Sequence, residues 1–244
     1  MKDNTFEEED REGLQTLETI AKAEKFNKWM FETVRPLCRG RILEIGSGIG
    51  NISQYFLQEE AQMMLSDIRT QYCTHLRKKF AQFPTLEEVV QMDLTDPEFE
   101  DIYSNWKGSF DTVFALNVVE HIQDDALAVK NCRFLLKEGG ILLILVPAYQ
   151  MLYNTFDKTL GHFRRYTRQT LTALFKNGNF DVIHAQYFNA LGMLGWVVSG
   201  TIMGKRTIPS GQMDLYNTMV PVFKGIDKLI FHSMGLSVIV AGRK

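Results

Sequence analysis

Seven short apolar runs punctuate the chain: "RILEI" (41–45), "AQMMLS" (61–66), "EVVQM" (88–92), "FDTVFAL" (110–116), "GILLILVP" (140–147), "FDVIHAQYF" (180–188) and "SVIVAGRK" (237–244). Between the early runs lie segments of helical spacing, such as "NISQYFLQEEA" and "TQYCTHLRKKFAQF". Strand–helix–strand alternation of this kind predicts an α/β fold, a parallel sheet with helices on both faces. The unbroken apolarity of "ILLILV" suits a central strand buried on both sides. Helix ends agree with this division. "DDALAVKNCRFLLKEGG" opens on two aspartates suited to capping and closes on Gly139 and Gly140. "YTRQTLTALFKNGNF" has a capping candidate in Thr167 and stops at Gly178. Ahead of the first strand, "LETIAKAEKFNKWMFETVRPL" reads as helix up to Pro36 and is expected to pack over the sheet or a ligand. Phe26 and Trp29 within it read as packing residues.

With 244 residues and no repeat or low-complexity segment, the chain is read as one domain. Its parts are an N-terminal helical segment (1–38), a ligand-binding core (39–147), a loop and cap (148–236) and a final strand (237–244). A formal net charge of −2 with scattered basic residues gives no field for nucleic acid. Cys38, Cys73 and Cys132 share no short spacing, which argues against a disulfide framework and a zinc site and fits a reducing cytoplasm. The acidic N-terminus is no secretory signal. The stretch 185–204 carries no charge but holds four glycines and several polar residues. It is too polar for a membrane span and reads as core, or as a groove for a greasy ligand.

The most informative stretch is "RILEIGSGIGN" (41–51), a strand that runs into alternating glycines. In an open parallel sheet, ligands sit at the carboxyl ends of the strands. A dinucleotide loop wants G-x-G-x-x-G, but the third glycine position falls here on Asn51. Glu44, two residues before Gly46, would repel a pyrophosphate and attract a cation. "LEIGSGIGN" resembles the first motif of class I S-adenosylmethionine-dependent methyltransferases. Further positions match that family in order: Asp67 in "MLSDI", Asp93 in "VQMDLTD", and 117–121 in "ALNVVEHIQD".

The resemblance implies a Rossmann-like seven-stranded, mostly parallel sheet with helices on both faces. It also implies an antiparallel last strand, with a helical cap inserted before it. It further implies S-adenosylmethionine as cofactor, held by Glu44, Gly46, Ser47, Gly48, Gly50, Asn51, Asp67, Ile68, Asp93, Leu94, Asn117 and Val118. In that frame Glu44 meets the cationic amino-acid part, Asp67 the ribose hydroxyls and Asp93 the adenine amine, with Leu94 against the ring. Plainer readings stand beside these: the glycines as a tight turn, the aspartates as helix caps, and Glu120 with His121 as a pair bracing the helix.

The loop after the fifth strand, "VPAYQMLYNTFDKTLGHFRRYTRQTL", is richer in polar aromatics and charges than a connector needs. It resembles a stretch in a bacterial subgroup of methyltransferases associated with glycan- or lipid-linked acceptors. His162 is the first candidate for a general base and His121 the second. Tyr153, Asp157, Arg164, Arg165 and Tyr166 are the candidate acceptor-binding residues. The plainer reading is that Asp157 pairs with an arginine and merely orders the loop. No metal-ligand cluster is expected, since none of the spacings suggests one. The expected partner is a small-molecule or lipid-linked acceptor, with no nucleic acid and no stable membrane span. Contact with a membrane surface is left open, as is oligomeric state.

Three alternatives remain. One is a non-catalytic S-adenosylmethionine-binding protein. A second is an NAD-dependent oxidoreductase, for which Tyr103 and Lys107 in "YSNWK" have the right spacing in the wrong place. A nucleic-acid methyltransferase is the third, weakened by the absence of an N/D-P-P-Y/F motif.

Overall fold

The computed structural model describes residues 11–202 and 210–244. The strands are β1 (Ile42–Ile45), β2 (Met63–Asp67), β3 (Leu86–Gln91), β4 (Phe110–Leu116), β5 (Leu136–Pro147), β6 (Asp181–Phe188) and β7 (Ser237–Arg243). They form one sheet in the order β3-β2-β1-β4-β5-β7-β6. Pairings from β3 to β5 are parallel, while β7 runs antiparallel between β5 and β6. The chain steps outward from β1 to β3, then returns to β1's other side as β4. That reversal opens a crevice over the carboxyl ends of β1 and β4.

The helices are α1 (Arg11–Ala21), α2 (Glu24–Val34), α3 (Ser53–Gln58), α4 (Thr70–Lys79), α5 (Phe99–Ile102), α6 (Asp125–Leu135), α7 (Thr155–Thr159), α8 (Arg168–Asn177), α9 (Gly192–Trp196) and α10 (Ser210–Leu229). A π-helical turn over Val197–Ile202 follows α9. Alternate residues of each central strand feed opposite faces of the sheet, as a period of two dictates. Leu43, Val113, Ile144 and Val240 join one core with Val129 of α6 and Phe175 of α8. Ile42, Phe114, Leu143 and Ile239 join the other, with Trp29 of α2, Phe56 of α3 and Leu76 of α4. The central strands β1, β4, β5 and β7 are thus covered on both sides, which is why these segments read as nearly unbroken apolar runs.

The capping expectations hold at two helices. Asp124 accepts the Leu127 N–H at the start of α6, and Thr167 forms a reciprocal capping box with Thr170 at α8. Two expectations need correction. The segment before β1 is two helices rather than one, broken at residues 22–23. Gly139 and Gly140 do not end α6, which stops at Leu135; they lie inside β5. There Leu136 pairs with Phe110 and Ile141 with Thr112, so residues 137–140 bulge out of register. Gly139 takes a left-handed φ of 74°, and a Cβ on Gly140 would sit 2.9 Å from the Lys137 carbonyl oxygen. Glycines serve a bulge as readily as a helix end, and their sequence context does not tell the two apart.

The expected cap is present before β7, although its residues 203–209, like residues 1–10 of the N-terminal segment, lie outside the described residues. Among the described residues no helix is long and apolar enough to cross a membrane. Cap helix α10 is fastened by Asp227, a fully buried carboxylate that accepts the N–H groups of Asn189 (2.6 Å) and Ala190 (2.8 Å). Tyr216 Oη donates to Asn189 Oδ1 at 2.6 Å, and Lys224 pairs with Glu32 of α2. Replacing Asp227 by alanine leaves two buried amides unsatisfied. Asp227→Ala is expected to destabilise the protein by about 2–4 kcal/mol, read as a lower urea midpoint at unchanged slope. An unchanged midpoint would show that the cap is held elsewhere.

Candidate functional site

The loop after β1 is shaped by three left-handed glycines, Gly46 (φ 67°), Gly48 (φ 54°) and Gly50 (φ 78°). Their reasons differ. A Cβ on Gly46 would lie 2.4 Å from Val118 Cγ2, so this glycine lets the loop press against the segment that follows β4. Gly48 faces Leu17 of α1 across 3.1 Å. A Cβ on Gly50 would collide with the Phe80 ring at 2.4 Å. Gly46 and Gly48 line the central cavity, and Gly50 does not. The motif groups Gly50 with the ligand-binding glycines, whereas in the fold it packs against Phe80 and Leu76 at the end of α4.

Backbone and carboxylates lock this loop to its neighbours. The Gly48 N–H donates to Asp67 Oδ2 at 2.9 Å, and the Arg69 N–H donates to Oδ1 of the same carboxylate at 3.0 Å. Ser66 Oγ donates to the Glu44 carbonyl at 2.9 Å. Glu44 is the one acidic residue of β1 and is almost fully buried, with Ser53 Oγ donating to its carboxylate. Burial pushes its pKa up to about 8 against the hydrogen bonds of Ser53 and Ser47, with Asp67 adding repulsion and Lys79 some attraction. Buried carboxylates are costly unless a partner compensates them. Glu44 faces a cavity, so a cationic ligand is the partner that fits.

That cavity has a volume of about 820 Å³. Glu44, Gly46, Ser47, Gly48, Asn51, Asp67, Ile68, Asp93, Leu94, Asn117 and Val118 all line it, brought from the carboxyl ends of β1, β2, β3 and β4. Leu94 is held by a hydrogen bond from Asn131 to its carbonyl (2.9 Å), and Asp93 Oδ1 accepts from the Thr95 N–H (2.8 Å) and Oγ1 (2.7 Å). Asn117 turns the chain out of β4 at a φ of 56°, a conformation asparagine tolerates better than most residues. The lid is formed by Thr16, Leu17 and Ile20 of α1 with Asn27 and Met30 of α2. Their individual roles carried no sequence signal beyond the expectation that this segment covers a ligand. Tyr103 and Lys107, the oxidoreductase-like pair, are not among the lining residues. Tyr103 stacks on Trp106 and its hydroxyl donates to the Gln91 carbonyl at 3.0 Å.

The far end of the cavity is built by the loop after β5. Asp157, fully buried, is the hub. Its Oδ1 accepts from Arg165 Nε and from His162 Nδ1, both at 2.8 Å, and its Oδ2 accepts the Asn154 N–H at 2.9 Å. Burial alone would raise its pKa, but the hydrogen bonds from His162 and Arg165 hold it below the usual carboxylate range. An ionised carboxylate only accepts, so His162 Nδ1 donates to Asp157 and Nε2 is the ring nitrogen left outside that pair. His162 packs edge to face on His121, with ring centroids 4.6 Å apart. His121 opens into the cavity yet is enclosed by protein on most sides. That enclosure, with His162 and Arg69 nearby, lowers its pKa.

Of the residues expected to meet the acceptor, His121, His162 and Arg165 line the cavity, while Tyr153, Asp157, Arg164 and Tyr166 do not. These four act within the protein. Tyr153 Oη donates to the His162 carbonyl (2.7 Å), Tyr166 Oη donates to Asp125 (2.7 Å), and Arg164 pairs with Asp125 (2.8 Å). The salt bridge foreseen for Asp157 is the one to Arg165. Glu120 also departs from expectation. It does not brace a helix; it lies fully buried in a 3₁₀ turn and lines the cavity beside His121. Glu120, His121 and His162 offer ligand atoms all within 4.8 Å of one another. His121 and His162 are 41 positions apart, so no short spacing in the sequence announces a grouping that the fold creates. Phe156, Leu160, Trp196, Met213 and Tyr216 form an apolar wall around this end. The uncharged stretch 185–204 divides accordingly: Tyr187 and Phe188 are core, while Gly192, Gly195, Trp196 and Ser199 face the cavity.

Residues 43–142 match a family model described as a methyltransferase domain. A ubiquinone biosynthesis O-methyltransferase from Xanthomonas euvesicatoria pv. vesicatoria is 32% identical over 108 residues, 44% of this chain and 43% of that protein. The chain spans less than half the length of the curated relatives it matches. Among solved structures, a SAM-dependent methyltransferase from Archaeoglobus fulgidus aligns with a TM-score of 0.56 at 18% identity, over 89% of this chain and 94% of that one. Phosphoethanolamine N-methyltransferase 2 of Haemonchus contortus, in complex with S-adenosylmethionine, aligns with a TM-score of 0.56 at 20% identity, over 85% of this chain and 49% of that one.

The two roles of the loop glycines are separable. Gly50→Ala forces a side chain into Phe80 at a left-handed φ, which should cost about 1–3 kcal/mol. For a chain of this size that lowers Tm by roughly 3–10 °C, while ligand binding in the cavity is retained. A normal Tm with lost binding would return Gly50 to the binding loop.

Proposed function

Because this chain belongs to the class I S-adenosylmethionine-dependent methyltransferases, we propose that it transfers the methyl group of S-adenosylmethionine to an oxygen of a small acceptor with an apolar body. The observation that carries this reading is the division of one cavity into two chemically distinct ends. One end presents buried carboxylates beside a bare-backbone loop; the other presents two histidines inside an apolar wall.

The carboxylate end fits the cofactor's demands. Gly46 and Gly48 leave space that a Cβ would fill, and Glu44 is a buried acid awaiting a cation. Glu44 is assigned to the ammonium of the amino-acid tail, with Ser47 and Asn51 beside it. Asp67, fixed by two backbone N–H groups, is assigned to the ribose hydroxyls. Asp93 and Leu94 take the adenine amine and ring, while Ile68, Asn117 and Val118 complete the channel. When bound, S-adenosylmethionine supplies a methyl group on positively charged sulfur, open to in-line displacement. The protein's task is then to aim an acceptor oxygen at that carbon and keep water away. His162, oriented by Asp157, and His121 serve that oxygen. Arg165 sits beside them, and Tyr153, Arg164 and Tyr166 hold the loop in place.

Oxygen is favoured over nitrogen as the target by the curated relatives, which are named O-methyltransferases. The wall of Phe156, Leu160, Trp196, Met213 and Tyr216 favours an acceptor with a greasy portion, including a lipid-linked one. Tritiated S-adenosylmethionine incubated with the protein and a cell extract should deliver label to the organic-soluble fraction. Tight S-adenosylhomocysteine binding with no transfer to any fraction would instead identify a binding protein without catalysis.

The Glu44 assignment carries a pH signature. Its pKa of about 8 in the free protein means that the carboxyl is protonated at pH 7. Pairing with an ammonium favours the ionised form, so binding expels that proton. S-adenosylhomocysteine affinity is therefore expected to fall as pH is lowered from about 8 to 6. Calorimetry at pH 7 in buffers of different ionisation enthalpy should show a little under one proton released. Glu44→Gln should abolish the release and weaken binding by about 10- to 100-fold. Equal proton release in the variant would refute the pairing.

A further inference from the structure

We infer that the acceptor end of the cavity is a divalent-metal centre whose protein ligands are Glu120, His121 and His162, with its open positions turned toward the acceptor. Glu120 is the first reason. It is fully buried, and neither carboxylate oxygen accepts a hydrogen bond of proper geometry. Buried carboxylates are ordinarily paired, hydrogen-bonded or metal-bound. Glu120 lacks the hydrogen bonds, and its side chain faces the cavity beside two imidazoles.

The histidines are oriented for the same point. His162 Nδ1 is committed to Asp157, which leaves the Nε2 lone pair free to bind. His121 lies near the Leu160 carbonyl, and its ring opens into the cavity. A carboxylate or carbonyl behind a ligating histidine is the usual second layer of a metal site. The two rings stand at 85° to one another with centroids 4.6 Å apart. All three ligand atoms fall within 4.8 Å of one another. Ligands around a tetrahedral ion with bonds of about 2.0–2.2 Å are roughly 3.3–3.6 Å apart, so the three side chains must draw together by about 1 Å on binding.

The donor set defines the ion. Two imidazoles and one carboxylate suit zinc, iron(II), cobalt(II) or manganese(II) rather than calcium or magnesium, which prefer all-oxygen surroundings. Three protein ligands leave positions open, the pattern of catalytic rather than structural sites. The ligand class taken at the open position is a hydroxyl oxygen, whose acidity the ion increases. This use of the ion rests on the methyl-transfer reading. As the O–CH₃ bond forms, the S–CH₃ bond breaks with its electron pair remaining on sulfur, and the hydroxyl proton leaves to solvent.

The test is a titration of the EDTA-stripped full chain with Co²⁺, followed by the ion's visible absorption. S-adenosylhomocysteine calorimetry on each variant serves as the control for folding. One saturable Co²⁺ site per chain is expected, weakened by about tenfold or more in Glu120→Gln, His162→Ala and His121→Ala, with S-adenosylhomocysteine affinity unchanged. His121→Ala, which removes the ring most open to the cavity, is the variant least able to disturb folding. Parent protein without saturable Co²⁺ binding overturns the metal centre, as do folded variants that bind Co²⁺ like the parent. Intact S-adenosylhomocysteine binding in either case preserves the methyltransferase reading. If S-adenosylhomocysteine fails to bind the parent, that reading falls, and the Co²⁺ titration still decides the metal centre.

Discussion

Parallel strands must be joined by crossovers that return each chain to the same starting edge, so every loop after a strand emerges on one side of the sheet. Everything distinctive about this protein follows from that rule and from the reversal of strand order between β1 and β4. The reversal parts the crossovers and leaves a crevice where the ends of four strands meet. Residues as distant in sequence as Glu44, Asp67, Asp93 and Asn117 then face one space, although none of them is near another along the chain.

That space contains groups that oppose folding. Glu44 and Glu120 are both buried acids with raised pKa values, Glu44 with serine donors and Glu120 with no well-formed hydrogen bond. Such groups weaken a fold and persist where something outside the chain compensates them. They mark the two ends of the cavity. The apolar wall around the histidine end lowers the local polarity, which strengthens any charge interaction made there.

Asp157 illustrates a different kind of buried charge. Both its oxygens accept hydrogen bonds, from Asn154, His162 and Arg165, and the loop after β5 is folded around it. It acts by fixing the tautomer and direction of His162 rather than by touching a ligand. Residues expected at the acceptor because of their chemistry thus separate into those that face the cavity and those that set its shape. Sequence composition alone cannot draw that line, because arginine and tyrosine serve both purposes equally well.

The strands, the order of the motif segments, the capping at Asp124 and Thr167 and the carboxyl-end location of the site were all legible in the amino-acid sequence. Each depends on local periodicity or on a motif a few residues long. Gly50 resisted such reading, since its left-handed turn is demanded by a phenylalanine 30 residues away. Gly139 and Gly140 resisted it as well, because a β-bulge and a helix terminus use the same residues. The sequence by itself determined an α/β chain with an alternating-glycine loop, preceded by an acid, after its first strand. Tertiary structure alone decided that Glu120 and His121 meet His162, because that encounter depends on how two loops from neighbouring strands fold toward each other, and no local pattern encodes a distance across space.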